Sequence, residues 1–212
     1  MSEKKGFLAM AKLGIILALY AAAACIGLAF VYAGTSEIIA RRQQADLEDA
    51  LKELFPDADS FEAVFDIASP DPAVIIEGDK NNPNNTGAFV ALKNNSSLGL
   101  ALRTSRGAYS GAIKLLVGVG VDGKIKGVKI LEHVETPGLG ANAGSSTYYV
   151  DRANGIHFYD QFAEKAANDP FVPKQDIIPI TAATITSSAV SASVKAAGEA
   201  AMAWMRTSGR LR

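Results

Sequence analysis

Residues 181–188, Thr-Ala-Ala-Thr-Ile-Thr-Ser-Ser, set five hydroxyls and two alanines directly ahead of an alanine-rich helical pattern. Val190, Val194, Ala197, Ala201 and Trp204 recur on one helix face, so the hydroxyl run lies at a helix start. Backbone N–H groups, side-chain donors and the positive end of the helix dipole converge there, and together they suit a phosphate. Ser and Thr are equally favoured at helix starts as plain N-caps, and the pattern alone fits that role as well. A second stretch, Glu135-Thr136-Pro137-Gly138-Leu139-Gly140, combines a rigid Thr-Pro-Gly turn with a further glycine. That composition lets backbone approach a flat ligand closely, with Glu135 and Thr136 able to orient polar groups at its edge. A simple loop leaving a hairpin would read the same way.

The elements that must hold these two stretches can be read between them. Ile113, Leu115, Val117, Val119 and Val121 alternate, Asp122-Gly123 supplies a turn, and Lys124 to Leu131 returns. Asp-Gly between β-rich runs predicts a hairpin with a type I′ turn. Ala73 to Ile76 predicts a further strand, and Asn81-Asn82-Pro83-Asn84-Asn85 a loop. Phe158 to Ala167 reads as a short helix closed by Asp169-Pro170. Leu47, Ala50, Leu51, Leu54 and Phe55 form the stripe of an amphipathic helix that docks on the domain, stopped by Pro56. The fold class expected is α+β: a single N-terminal transmembrane helix, then one domain with antiparallel strands and a closing helix.

The anchor is the uncharged run Leu13–Ala33, which at ~1.5 Å per residue reaches about 31 Å, the depth of a bilayer's hydrocarbon core. The apolar region of a secretory signal is shorter, only about 15 residues at most. Lys4, Lys5 and Lys12 precede the run, and Arg41 and Arg42 follow it. That bias puts the N-terminus in the cytoplasm and the main domain outside it. The divisions expected are residues 1–12 cytoplasmic, 13–33 transmembrane, 34–55 linker helix, 56–205 the main domain and 206–212 a basic tail.

In all, 212 residues with 49% hydrophobic and 20% charged residues support a packed core. A formal net charge of −1 gives no basic field for nucleic acid. The one cysteine, Cys25, lies mid-span, and the two histidines, His133 and His157, have no ligand pattern around them. No metal site follows from such a set, so any redox chemistry must use an organic cofactor.

Gly107-Ala108-Tyr109-Ser110-Gly111, the strand around Asp122-Gly123-Lys124-Ile125, His133, and Glu135 to Gly140 together resemble the FMN-binding domain family. The family occurs in the G subunit of the Rnf electron-transport complex and in the C subunit of the sodium-pumping NADH:quinone reductase. The resemblance covers about residues 100–200, and the compact soluble part is closer to the Rnf protein. It implies FMN joined through its phosphate to the last threonine of a Ser/Thr-Gly-Ala-Thr motif, installed from FAD by a separate flavin transferase. Thr181-Ala182-Ala183-Thr184 occupies that motif, so Thr184 is the implied attachment residue, with Thr186 and Ser187 flanking the phosphate. Ala182 stands where the family usually has glycine, which costs nothing at negative φ and is penalised at positive φ.

The implied function is electron relay between ferredoxin-derived reducing equivalents and NAD, beside other membrane subunits, with no catalytic side chain of its own. Two alternatives stay open. One is the quinone reductase protein or a stand-alone extracytoplasmic flavin carrier; the other is an anchored, non-catalytic ligand-binding or assembly domain in which Thr184 is only a cap.

Overall fold

The structure is a computed structural model that describes residues 2–65, 67–71, 73, 75–76 and 87–210, with backbone alone for 2–9 and 75–76. The predicted Asn-rich loop at 81–85 falls outside the described residues. Helix α1 runs Ser2–Leu54, and the portion Met10–Leu54 is long and apolar enough to cross a membrane. The chain divides into two units, Met1–Ala45 and Asp46–Arg212. In the first, every described side chain except that of Ser36 is exposed.

The second unit is built on an antiparallel sheet. Its strands are β1 (Ser60–Val64), β2 (Ile75–Ile76), β3 (Ala88–Lys93), β4 (Ser96–Gly107), β5 (Ala112–Gly120) and β6 (Ile125–Glu132). They lie in the order β1-β3-β4-β5-β6, with β2 paired to the far end of β4. A small hairpin, β7 (Tyr149–Asp151) with β8 (Ile156–His157), and helix α2 (Thr184–Thr207) complete it.

Period-two alternation decides the faces. Leu100, Leu102, Ile113, Leu115, Val117 and Val119 point to one side and pack with Val190, Val194, Ala197 and Ala201 of α2. Leu47, Ala50, Leu51, Leu54 and Phe55 from the end of α1 cover the other side, against Ala91, Ala101 and Leu116. The amphipathic stripe predicted for 47–55 is therefore the domain's own second layer. Small residues seat it: a Cβ at Gly118 would sit 3.3 Å from both Leu54 and Phe55.

Two expectations need correction. Between β5 and β6 only Gly123 takes positive φ, at +75, so the turn is not type I′. A longer loop closes instead, with Gly123 N–H donating to Gly120 O at 2.9 Å and Gly120 N–H to Lys124 O at 2.8 Å. Residues 158–167 do not form the predicted helix beyond a 3-10 turn at Asp160–Phe162. The physical reason is pairing with the sheet. Ile125 N–H donates to Lys165 O (2.9 Å), Glu164 N–H to Ile125 O (2.8 Å) and Ala167 N–H to Gly123 O (2.8 Å). With those backbone groups committed and Glu164 at φ +61, helical bonds cannot form there.

Candidate functional site

The start of α2 is shaped by its own sequence. Its N-cap residue is Ala183, which has no side-chain acceptor to offer, and no side chain caps the helix. Capping, the role open to the threonines and serines, is thus not what they perform. Ser187 acts from inside the first turn: its Oγ accepts from Ile180 N–H at 2.9 Å and donates to Ala183 O at 2.9 Å. Thr181 N–H donates to the Tyr148 hydroxyl at 3.2 Å. The chain turns into the helix through Ala182 at φ +59, the left-handed region. Thr181 and Thr184 are left exposed, whereas Thr186 and Ser187 are wholly buried.

The first backbone bond of α2 runs from Ser187 N–H to Ala183 O, at 3.0 Å. An uncapped first turn on a 24-residue helix therefore opens to solvent beside the Thr184 hydroxyl. That is the arrangement in which backbone donors and dipole act together on an anion.

The Pro-Gly loop meets this turn at one residue. Glu135 is buried, with 6% of its surface exposed. Its Oε2 accepts from the Thr186 hydroxyl at 2.7 Å, and its Oε1 accepts from Ser110 N–H at 2.7 Å. One carboxylate so ties the loop after β6 to the turn between β4 and β5 and to the first turn of α2. Gly140 completes the junction, because a Cβ there would overlap Glu135 Oε2 and come within 2.7 Å of Thr186 Oγ1. Gly138, at φ +77, makes the bend, and Leu139 N–H and Ala141 N–H both donate to Thr136 O at 3.1 and 3.2 Å.

Thr136, Pro137, Gly138 and Leu139 face solvent. So do Tyr109, Val134 and Ile185, at 71%, 64% and 58%. These exposed side chains and that of Leu139 come from the three segments that meet at Glu135.

The structure thus brings Glu135, Gly140 and Thr186 into contact and leaves Thr181 and Thr184 exposed. Ala182 and Ala183 hold the backbone between. Residue types and spacing assign no role to Ser110, Tyr109, Val134, Ile185 or Tyr148. Tyr109 and Ser110 lie within the motif 107–111, but only the folded chain shows that the Ser110 amide, rather than its side chain, makes the contact.

Comparison with known proteins gives these features a family. The FMN-binding domain model matches residues 108–199, and the RnfG N-terminal region model matches residues 1–54. The G subunit of the proton-translocating ferredoxin:NAD(+) oxidoreductase complex of Clostridium ljungdahlii is 34% identical, over 81% of this chain and 80% of that one. The G subunit of the Na(+)-translocating complex of Acetobacterium woodii is 30% identical, over 86% of this chain and 87% of that one. Among solved structures, NqrC of Shewanella oneidensis aligns with a TM-score of 0.40 at 19% identity, covering 61% of this chain and 65% of that one.

Proposed function

The chain belongs to the RnfG family of ion-translocating oxidoreductase complexes, and on that premise we propose that it is a membrane-anchored flavoprotein subunit relaying electrons within an Rnf-type ferredoxin:NAD oxidoreductase. Its cofactor is FMN, held covalently by a phosphoester to Thr184. The observation that carries this reading is the exposed Thr184 on the uncapped first turn of α2, the turn that Thr186 ties to Glu135. The N-terminal match favours the Rnf protein over its quinone reductase counterpart.

The residues present fit such a group. The first-turn N–H groups and the dipole of α2 offset the phosphate's charge. Ala182 and Ala183 leave room beside it, and Thr181 stands at the first hydroxyl position of the motif. Attachment transfers the FMN phosphoryl group of FAD to Thr184 Oγ: the O–P bond forms, the pyrophosphate bond breaks, AMP leaves and the hydroxyl proton is released. A flavin transferase performs it, outside the cytoplasm. Bound FMN supplies electron transfer; the protein's own task is to fix, shield and expose it. The exposed Tyr109, Val134, Leu139 and Ile185 offer apolar surface for the ring and Thr136 a polar group at its edge, while Glu135, buried behind them, braces the loop. Lys4, Lys5 and Lys12 keep the N-terminus in the cytoplasm, and the other membrane subunits of the complex are the partners.

Wild type and Thr184→Ala, produced with a flavin transferase, test the reading by in-gel flavin fluorescence and intact mass. A fluorescent band carrying an FMN-sized adduct, absent from the variant, is expected. An unmodified wild-type chain would remove the covalent assignment and favour an anchored binding or assembly domain.

A further inference from the structure

Glu135 is an unusual group to bury. Carboxylates are rarely enclosed without a cationic partner, because leaving water disfavours the charge. Here both oxygens are occupied by neutral donors, Ser110 N–H and the Thr186 hydroxyl, each at 2.7 Å. Among the described residues Glu135 forms no ion pair. Its backbone N–H donates to His133 Nδ1 at 3.3 Å. Holding three segments together does not by itself require a charge, since an amide of the same shape satisfies one donor and one hydroxyl equally well. The charge calls for a separate explanation, and the surroundings supply one. Thr186 stands two residues beyond Thr184, Val134 and Leu139 lie exposed in the same loop as Glu135, and Gly140 packs against its carboxylate.

We propose that Glu135 sets the potential of the site: its carboxylate is a fixed negative charge, unneutralised and shielded from water, that holds the flavin at a lower potential than the same pocket with a neutral residue. This rests on the reading that flavin is carried at Thr184. Electrons added to a flavin ring held at this loop would build negative charge there, and a nearby fixed anion would oppose that charge, the more so in a site from which water is excluded. Ser110 and Thr186 are positioning residues. They hold the carboxylate in place, and the hydroxyl dipole turned toward it softens its field.

Spectroelectrochemical titration of the full-length, flavin-loaded protein tests the proposal, with loading followed separately by intact mass. Glu135→Gln keeps the shape, and it keeps both hydrogen bonds if the Thr186 hydroxyl reverses direction. Its loaded fraction, fixed by intact mass, is expected to titrate at a higher potential than loaded wild type. Thr186→Val keeps the charge and removes the dipole that softens it, and is expected to shift the potential downward. Opposite shifts in the two variants support the charge. An unchanged potential in loaded Glu135→Gln, or shifts of the same sign in both variants, overturns it. If Glu135→Gln does not fold, the Thr186→Val titration decides alone: an upward or absent shift overturns the proposal. Failure of the wild type to acquire flavin would instead overturn the assignment at Thr184, a result visible before any titration.

Discussion

Ala182 carries a backbone angle that suits glycine. At φ +59 its Cβ crowds the following carbonyl, at a cost of about 1–2 kcal/mol for an L-residue. The conformation persists because its neighbours are fixed on both sides: Thr181 N–H by Tyr148, and Ala183 by the Ser187 hydroxyl. Ala182→Gly removes the crowding and adds freedom to the unfolded chain, which offsets part of the gain. The expected net effect is a stabilisation of up to about 1 kcal/mol, seen as a higher urea midpoint at unchanged slope in the flavin-free protein. A lower midpoint, as glycine gives at ordinary helical or extended positions, would mean that the left-handed turn is not adopted in solution. The same substitution leaves Thr184 exposed, so flavin loading should not fall.

At the scale of elements, the β5–β6 hairpin shows what a local sequence decides. Burial works against the Asp122 carboxylate, but the Lys126 ammonium and the Lys124 N–H prevail and hold its pKa below the ordinary value. Lys126 is raised in turn, by its hydrogen bond to Asp122 first and by Glu164 as well, against some desolvation. A lowered carboxylate stabilises the fold above its unfolded pKa of about 3.9 and loses that contribution as pH falls through the folded value. A raised lysine contributes below about 10.4 and loses its share as pH rises beyond the folded value. Asp122→Asn keeps an acceptor for Lys124 N–H while deleting the charge. Its urea midpoint should lie slightly below wild type at pH 7, by no more than about 1 kcal/mol for so exposed a pair, and converge with it below pH ~4. A gap that persists in acid would place the effect in the turn rather than the charge.

The same hairpin marks the limit of sequence reading. Alternation at Ile113 to Val119 was enough to find both strands and their inward face, but the turn type depended on loop length, which two turn residues do not fix. Likewise α2 and its apolar stripe were legible, because 3.6-residue periodicity is local. The irregular stretch at 158–167 was not, since its hydrogen bonds go to Gly123 and Ile125, some 40 residues away, and no local propensity records them. At the candidate site the motifs pointed to the right segments. That Glu135 is the point where they meet, bonded to Ser110 and Thr186, is a fact of tertiary packing alone.

On the scale of the whole molecule, the separation between anchor and domain falls inside a single helix. From Met10 to Asp46 nearly every side chain of α1 is exposed, as suits a helix whose apolar surface meets lipid, but from Leu47 onward one face is buried. Leu47, Ala50, Leu51, Leu54 and Phe55 cover the sheet face opposite α2, so they are core residues of the domain although they lie on the anchor helix. A chain of residues 46–212 is therefore expected to be soluble, monodisperse and cooperatively folded without lipid or detergent. A chain of residues 56–212 begins at the proline that looks like a natural boundary, yet it lacks that layer. Four large apolar side chains at about 1.5–3 kcal/mol each amount to as much as the whole stability of a typical domain, about 5–15 kcal/mol. The shorter chain should aggregate or melt without a cooperative transition, because Ala91, Ala101 and Leu116 would face water. Calorimetry and size-exclusion chromatography on the two chains decide the matter. Two similar, cooperative transitions would show that the last turns of α1 are dispensable packing, whereas loss of the fold only in the shorter chain establishes that this domain is completed by the helix that tethers it.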